Sequence, residues 1–413
     1  MTRRNRSATM LTRRVILEVL FIIIEGTFLS AEKLSLGAHD ITAVHNANGT
    51  NDLLEIDLAT EQQGRRRLQS AEALGLSDAE QQVPGKPWNY QQKFNTLGLI
   101  NSVQWTTSVY ALPADLCNRE DKHKELLQQV EVWGGAAKAT PRILCGIFTY
   151  SKNHFTKVKA IKHTWASRCD GFVVFSDEVD FKVPSFKIKH EGPEEWDNMW
   201  QKSRAIWKYI GFHYANDFDW FFLGGDDVFL IVENLRKYLL SNEIKAAAGG
   251  LENGGTIPLY LGRRFRPKGD DAKIFNSGGA GYVLNRAALT LLASRLDKDE
   301  CEPHRKCFWE DVATCLRKVD VEALDTRDCF GRERFHPFTP AQHLTYRPPE
   351  GKDWYKEYSI GLKVGRECCS RDSISFHYVD ENLMQRIYHL VYSCPKNRPR
   401  MPEDLPLAGV AVR

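Results

Sequence analysis

Residues 218–235 read FDWFFLGGDDVFLIVENL, and this stretch decides the fold class. The apolar run at 219–223 is typical of a buried strand, and residues 231–240 return with helical spacing. Two glycines and two adjacent aspartates lie between them. Because ligands of open α/β sheets bind beyond the carboxyl ends of the strands, this stretch predicts a strand–turn–helix unit whose turn faces a ligand.

Strand-like and helix-like segments alternate around this unit. Strands are predicted at 142–149, at 171–176 and around 186–188, and helices at 155–168 and 195–214. The alternation predicts an α/β domain with a mostly parallel sheet. Thr149 and Ser176 then end their strands at the same edge as the Gly-Gly-Asp-Asp turn.

Asp226 and Asp227 are candidates for a metal site. The glycines before them let backbone and ligand approach closely. Hard divalent cations prefer oxygen ligands, and one or two carboxylates commonly share such a cation with substrate phosphates. Aspartates also favour solvated turns and helix N-caps. The pair alone therefore leaves a nucleotide-diphosphate metal site and a solvated turn both open.

The composition limits the classes of function. The chain has 413 residues, 42% apolar and 26% charged, as globular proteins do. Its net charge of +3 includes five arginines within residues 1–14, a segment that holds no acid. The remainder has 51 basic and 53 acidic residues, a net of −2, so we expect no nucleic-acid partner.

An apolar run at residues 15–31 follows these arginines, interrupted by Glu18 and Glu25. A bilayer span needs about 17–25 apolar residues, so a signal anchor with a cytoplasmic N-terminus fits, and so does a cleaved signal peptide. Under either interpretation, the part of the chain after residue 31 is exported. We divide the chain into a tail (1–14), this segment (15–31), a polar luminal stem (32–140), a catalytic domain (141–393) and a Pro-rich tail (394–413).

Ten cysteines agree with export. An even, high number in an exported protein favours disulfides. Zinc binding by the cysteines is the alternative. The chain has no CxxC pair, however, and the spacings of its cysteines fit no common zinc pattern. Asn48-Gly49-Thr50 is a candidate glycosylation acceptor.

The stretch 218–235 resembles the metal-binding segment of animal core 1 β-1,3-galactosyltransferases, which are relatives of the fringe glycosyltransferases. Further segments match this family in the same order, with residues 277–284 matching a Gly-Gly-Ala-Gly loop and helix start. The other matching segments are 142–145, 162–169, 258–265, 310–313, 325–328, 335–338, 368–370 and 375–379. The resemblance covers about residues 141–393.

The resemblance implies a GT-A type fold, in which a Rossmann-like nucleotide-sugar-binding half joins an acceptor-binding half. It also implies UDP-galactose as donor and Mn²⁺ as cofactor, with Asp227 and His377 as metal ligands. Asp226 would sit beside the ribose or in the outer shell of the metal. This chain departs from the family at Gly225, where animal members have the first of three aspartates. A lone histidine between Phe376 and Tyr378 would otherwise be read as a core residue.

Making a β-linkage from an α-linked sugar nucleotide inverts the configuration at the anomeric carbon. A single in-line displacement does this, and it needs a base that takes the proton of the acceptor hydroxyl. By resemblance Asp311 is the base and Glu310 the fallback, although acids at a helix start also complement the helix dipole. Gly278 and Gly279 would let the backbone approach donor and acceptor. The candidates for donor contacts are Thr149, Lys162, Thr164, Trp165 and Arg168. Core packing is the ordinary alternative for Trp165, and a solvated helix face for Lys162.

The family implies transfer of galactose to the 3-hydroxyl of O-linked GalNAc on glycoprotein acceptors. It also implies a Golgi enzyme held in the membrane as a single-pass type II protein, or a secreted one if the leader is cleaved. A fringe-like transferase with another sugar or acceptor is one alternative. An inactive, chaperone-like relative is another, although that sibling lacks the metal aspartates and this chain keeps them.

The resemblance also implies disulfide pairings. Cys145 would pair with Cys169, Cys301 with Cys315, and Cys368 with Cys369 as a vicinal pair. An extra bridge between Cys307 and Cys329 is a further guess. The remaining cysteines, Cys117 and Cys394, would pair with each other or across a homodimer.

Overall fold

The computed structural model describes residues 115–135, 141–180, 182–183, 185–267, 270–298, 301 and 308–394. The basic tail, the apolar run at 15–31, most of the stem, the candidate glycosylation site and all but Cys394 of the C-terminal tail lie outside these residues. Within the described part, no helix is both long enough and apolar enough to cross a bilayer.

Eleven strands are described. In chain order they are β1 (Ile143–Phe148), β2 (Gly171–Ser176), β3 (Ser185–Lys187), β4 (Trp220–Gly225), β5 (Phe229–Leu230), β6 (Tyr260–Gly262), β7 (Arg264–Phe265), β8 (Phe275–Asn276), β9 (Tyr282–Asn285), β10 (Phe335–His336) and β11 (Ser375–Phe376).

Ten α-helices are described along the same residues. They are α1 (Lys122–Leu127), α2 (Lys159–His163), α3 (Met199–Tyr214), α4 (Val232–Leu239), α5 (Asn242–Ala247), α6 (Arg286–Ala293), α7 (Phe308–Arg317), α8 (Pro340–Thr345), α9 (Trp354–Tyr358) and α10 (Glu381–Tyr392). A π-helical turn covers His154–Val158. Short 3₁₀ turns cover Ser151–Asn153, Ala166–Arg168, Trp196–Asn198, Glu252–Gly254, Asp271–Lys273 and Gly365–Cys368.

The central sheet has six strands in the order β3-β2-β1-β4-β9-β6. The first four are parallel, and β9 runs antiparallel to both of its neighbours. This mixed sheet confirms the prediction of an α/β fold with a mostly parallel sheet. Phe148 lies opposite Gly225, so β1 and β4 end together and bring Thr149 beside the Asp226–Asp227 turn.

Both faces of the central sheet are covered, which explains its nearly continuous apolar strands. Along β1, Ile143 and Ile147 belong to one buried cluster, which includes Ile387 of α10. Leu144 belongs to the other, which includes Trp207 of α3. Each fully buried side chain of this kind contributes roughly 1.5–3 kcal/mol. Buried side chains therefore hold the sheet from both sides.

A second sheet, in the order β10-β11-β5, forms at this edge. Strand β5 directly follows the aspartate pair, and β11 pairs antiparallel with it, Phe376 lying opposite Phe229. The backbone N–H of Val379 extends the pairing by donating to the carbonyl oxygen of Asp227 at 2.9 Å. This pairing carries His377 to the turn from a point 150 residues further along the chain.

Two predicted segments differ in detail. The helix predicted at 155–168 is divided into the π-helical turn, α2 and a 3₁₀ turn, and α2 ends because Thr164 leaves helical geometry with φ −117° and ψ −98°. Residues 282–285 form strand β9, whereas the resemblance placed a helix start there. The helix begins at Arg286, where the Asn285 side chain caps it by accepting from the Ala288 N–H at 3.0 Å.

The described part of the predicted stem is integrated in the fold. Leu126, Leu127 and Val130 are fully buried in the core. The N–H of Glu131 donates to the carbonyl of Arg371 at 2.8 Å. Residues 115–135 therefore pack with the segment predicted to be catalytic, which extends the folded unit to the N-terminal side of residue 141.

The disulfides Cys145–Cys169, Cys301–Cys315 and Cys368–Cys369 are confirmed. Cys117 and Cys394 pair with each other within the chain, which decides between the two alternatives left open above. Cys329 carries a free, exposed thiol, so the guess of a Cys307–Cys329 bridge is wrong.

Candidate active site

Asp226 is anchored by the segment that follows β1. Its Oδ2 accepts from Thr149 Oγ1 at 2.6 Å and from Asn153 Nδ2 at 2.7 Å, while its Oδ1 pairs with Lys157 Nζ at 3.2 Å. The carboxylate is buried, and these three donors satisfy it. Asp226 therefore fixes the loop after β1 against the end of β4.

Asp227 lies beside His377. The His377 Nε2 atom is 3.3 Å from Asp227 Oδ1, and the side chains are 13% and 24% exposed. Burial favours the neutral carboxyl, but the hydrogen bond and charge of His377, with the charge of Lys157, hold the pKa of Asp227 below its ordinary value. The pair is thus a partly solvent-accessible carboxylate–imidazole site.

The orientation of the His377 ring suits a metal ligand. Its Nδ1 atom lies 3.3 Å from the carbonyl oxygen of Pro337, which can only accept, so Nδ1 carries the hydrogen. In the neutral ring, Nε2 then presents a lone pair to the Asp227 carboxylate. Two acceptors face each other stably only with a cation between them or with a protonated ring. A backbone carbonyl behind the far nitrogen is the usual support of a metal-binding histidine, so these residues fit a divalent cation.

A glycine loop at residues 277–281 packs against this pair. A Cβ on Gly279 would come 2.4 Å from the His377 Cε1 atom, so only glycine allows the loop and the ring to approach this closely. The loop closes through the N–H of Gly281, which donates to the carbonyl of Gly278 at 3.1 Å. At the other side, a Cβ on Gly225 would come 3.0 Å from Asp227 Oδ1.

Asp311 lies in helix α7 and is 1% exposed. Helix α7 packs against β8, the strand that leads into the glycine loop. Arg317 of the same helix fixes this packing by donating to the carbonyl of Ile274 at 2.6 Å. The predicted base is therefore buried on an element next to the loop. Glu310 is in the first turn of α7, and its side chain is outside the described residues.

Trp165 and Thr164 are in the core. The Trp165 ring is fully buried and its Nε1 donates to the carbonyl of Val228 at 3.1 Å, which supports the backbone just after Asp227. Thr164 is buried as well, and its Oγ1 donates to the carbonyl of Ala160 at 2.8 Å. Both side chains are thus occupied by protein groups.

Arg168 and Lys162 are the remaining two predicted donor contacts. Arg168 forms an ion pair with Glu233 and donates to Tyr388 Oη at 3.0 Å, with its guanidinium 3.8 Å from the ring centre of Tyr392. It therefore ties helix α4 to helix α10. Lys162 is half-buried on α2, and burial lowers its pKa to about 8.

The sequence reasoning missed three polar residues at this edge. Asn153 and Lys157 contact Asp226, and their spacing of four residues after a strand end was a usable signal. Lys202 had no such signal, because it comes from helix α3. Its buried Nζ donates to the carbonyl of Thr149 at 2.7 Å and pairs with Glu194.

Three aromatic side chains beside His377 form a surface that we call the aromatic platform: Phe338, Trp354 and Tyr378. Tyr378 and Trp354 are 54% and 50% exposed. Phe338 stacks on Tyr378 with ring centres 6.0 Å apart and lies 5.7 Å from Trp354. The Tyr378 ring centre is 4.0 Å from that of His377. Large exposed aromatic faces thus adjoin the aspartate–histidine pair.

Comparisons with known proteins agree with this architecture. Glycoprotein-N-acetylgalactosamine 3-beta-galactosyltransferase 1 of Xenopus laevis is 34% identical over 255 residues, which are 61% of this chain and 66% of that protein. Human chondroitin sulfate glucuronyltransferase is 28% identical over 159 residues, 38% of this chain and 19% of that protein. Human chondroitin sulfate synthase 3 is also 28% identical, over 198 residues, 45% of this chain and 22% of that protein.

No family model matches the chain. The matched region is just under two thirds of the Xenopus protein and about a fifth of each human one. The Xenopus protein and the first human one are glycosyltransferases by name, and the mixed α/β sheet is consistent with a GT-A-like fold. The similarity to the Xenopus protein supports the resemblance of this chain to the core 1 β-1,3-galactosyltransferase family.

Proposed function

We propose that this protein transfers galactose from UDP-galactose to the 3-hydroxyl of O-linked GalNAc on glycoproteins, with inversion at the anomeric carbon. The observation that carries the proposal is the Asp227–His377 pair, 3.3 Å apart at the carboxyl edge of the sheet. The name of the Xenopus relative, a 3-beta-galactosyltransferase of glycoprotein N-acetylgalactosamine, supports the choice of sugar and acceptor.

Asp227 and His377 Nε2 would hold Mn²⁺, as the ring orientation supports. The ion would act as a Lewis acid on the donor diphosphate. Asp226 would hold the loop after β1 in position, because its oxygens accept from Thr149, Asn153 and Lys157. Lys157 adds a positive charge beside the pair, where an anionic diphosphate gains from it.

Asp311 would accept the proton of the acceptor hydroxyl, with Glu310 as the fallback. A carboxylate is a suitable general base when it is held in place and kept from bulk water. The burial of Asp311 and the packing of α7 on the strand before the glycine loop support this assignment. Gly278 and Gly279 would let the backbone of the loop approach the donor and the acceptor sugar.

The aromatic platform is the surface that we assign to the acceptor. The apolar faces of sugars and peptide groups pack on exposed aromatic rings, which bury large areas with little loss of side-chain entropy. Trp354 and Tyr378 offer such faces next to the metal ligands. A glycoprotein acceptor would bind here, with its reacting hydroxyl directed towards the aspartate–histidine pair.

The location that suits this activity is the Golgi lumen, with residues 15–31 as a type II membrane anchor. The four disulfides support an exported, oxidising environment. Secretion after cleavage near residues 28–31 is the alternative. Homodimerisation does not require an intermolecular Cys117 or Cys394 bond, because these two cysteines pair within the chain.

The deciding experiment measures UDP release by the purified protein with Mn²⁺ and a GalNAc-O-peptide. We expect release from UDP-galactose only when the peptide is present, and none after chelation of the metal. The matched variant Asp227→Asn should be inactive, while Asp372→Asn, which changes an aspartate paired with Lys237, should be active. Turnover with UDP-GlcNAc in place of UDP-galactose would favour the fringe-like alternative. Absence of turnover with every donor would contradict the enzyme assignment.

A further inference from the structure

A second group of side chains that could hold a metal ion includes a residue of the three-stranded sheet. His336, His343 and Cys369 each offer one ligand atom, and these three atoms lie within 4.8 Å of one another. All three residues are buried, at 0%, 3% and 0% exposure. The set includes neither Asp227 nor His377, and its nitrogen and sulfur donors suit a softer cation than Mn²⁺.

Both imidazoles leave a nitrogen without a hydrogen-bond partner among the described residues. These atoms are His336 Nδ1 and His343 Nε2, and both are buried. Buried polar atoms are paired in most proteins because an unpaired one loses its hydration without compensation. Two such atoms on neighbouring rings, whose centres are 5.1 Å apart, indicate that the cluster can accept a ligand.

Hydrogen bonding fixes the form of the His336 ring. The Ser373 hydroxyl donates to the carbonyl of Ser370 at 2.6 Å, so Ser373 Oγ accepts from His336 Nε2 at 2.9 Å. His336 Nδ1 is then left with its lone pair, and Ser373 acts as the outer partner that metal-binding histidines require.

Cys369 is bonded to its neighbour Cys368, and a disulfide sulfur is a poor ligand. We propose that reduction of this bond opens a Cys-His₂ site for a thiolate-preferring divalent cation such as Zn²⁺. A cellular dithiol supplies two electrons and two protons, the Cys368–Cys369 bond breaks into two thiols, and the dithiol becomes a disulfide. The Cys369 thiol releases its proton to solvent when the cation binds. Three protein ligands leave the fourth tetrahedral position for water.

A competing cluster contains Cys117, His389 and Cys394, which are also within 4.8 Å of one another. These residues are half-buried, and the Cys117–Cys394 bond engages both sulfurs. Reduction would free them as well. The experiment must therefore separate the two clusters, and His389 provides the matched control for His343.

The test uses Co²⁺ as the probe, because a cobalt–thiolate bond gives a near-ultraviolet charge-transfer band that carboxylate and histidine ligands do not give. The purified full chain is titrated before and after treatment with a trialkylphosphine, which becomes its oxide with water supplying the oxygen and the thiol protons. We expect the band only after reduction. His343→Asn should weaken Co²⁺ binding at least tenfold, and His389→Asn should leave it unchanged.

Cys369→Ser provides a second variant that does not alter either imidazole, and it should abolish the band. Circular dichroism of each reduced variant checks that the fold is kept. The proposal is overturned if reduced wild type gives no band, if the band survives in folded His343→Asn and Cys369→Ser, or if His389→Asn removes it. This readout does not depend on transferase activity, so it stands apart from the function proposed above.

Discussion

His377 Nε2 lies 3.3 Å from Asp227 Oδ1, while His377 Nδ1 lies 3.3 Å from the carbonyl oxygen of Pro337. The two residues come from separate strand ends and meet because β11 pairs with β5. The imidazole is thus held from behind by the Pro337 carbonyl, and its Nε2 atom faces the carboxylate. Metal binding should depend on both side chains.

Asp227→Asn tests this dependence directly, because asparagine keeps the shape and removes the charge. We expect Mn²⁺ affinity to fall by about 100-fold, a loss of roughly 2.7 kcal/mol of binding free energy. Free Mn²⁺ measured by electron paramagnetic resonance during titration reports the affinity. Asp372→Asn is the matched control and should bind Mn²⁺ as wild type does. Equal affinities in all three proteins would contradict the metal assignment.

Gly279→Ala should disturb the same site through packing. Its Cβ would lie 2.4 Å from His377 Cε1, so the ring or the loop must shift. We expect a loss of about 1–3 kcal/mol in the free energy of unfolding and at least tenfold weaker Mn²⁺ binding. Thermal unfolding and metal titration measure the two effects. Gly351→Ala, where an added Cβ meets nothing within 4 Å, is the control.

Lys157→Met should affect binding of the donor. Burial opposes the charge of Lys157, but Asp226 and Asp227 outweigh it and raise its pKa, so the residue is charged at neutral pH. Its removal should raise KM for UDP-galactose about tenfold, with a smaller change in kcat. Steady-state kinetics measures both constants. Lys208→Met, at an exposed lysine paired with Asp297, should leave KM unchanged. An unchanged KM in Lys157→Met would count against the diphosphate contact.

His190 predicts a pH dependence of stability. Its hydrogen bond to Glu194 raises the pKa of His190 above the ordinary value of about 6.5, although burial opposes this. The stabilisation is therefore fully present below about pH 6.5 and is lost as pH rises through the raised pKa. His190→Gln should lower the Tm most at about pH 5.5 and least at about pH 9. A deficit that grows with pH would refute this account.

The central sheet was predictable because its strands carry their own signal. Residues such as Phe221 and Ile143 are buried between two helical layers, so their strands read as continuous apolar runs. The start of β9 was less visible, since a glycine loop followed by apolar residues fits a strand and a helix start equally. Asn285 decides between them by capping α6.

The candidate site was predictable only in part. Thr149 and the aspartates follow strand ends, so local pattern places them at one edge. His377 could be found by resemblance alone, because its position depends on the long-range pairing of Phe376 with Phe229. Lys202 reaches this edge from helix α3, and only 1% of its surface is exposed. Nothing in its local sequence distinguishes it from a surface lysine.

The Cys117–Cys394 bond brings the two ends of the described fold together, with their Cα atoms 5.3 Å apart. The disulfide therefore closes the described chain into a covalent loop. The fold should form as well if the chain begins at another point of this loop. A circular permutant joined by a short linker at 117 and 394, and opened at the exposed turn 348–352, would keep β4, β11 and the glycine loop in place.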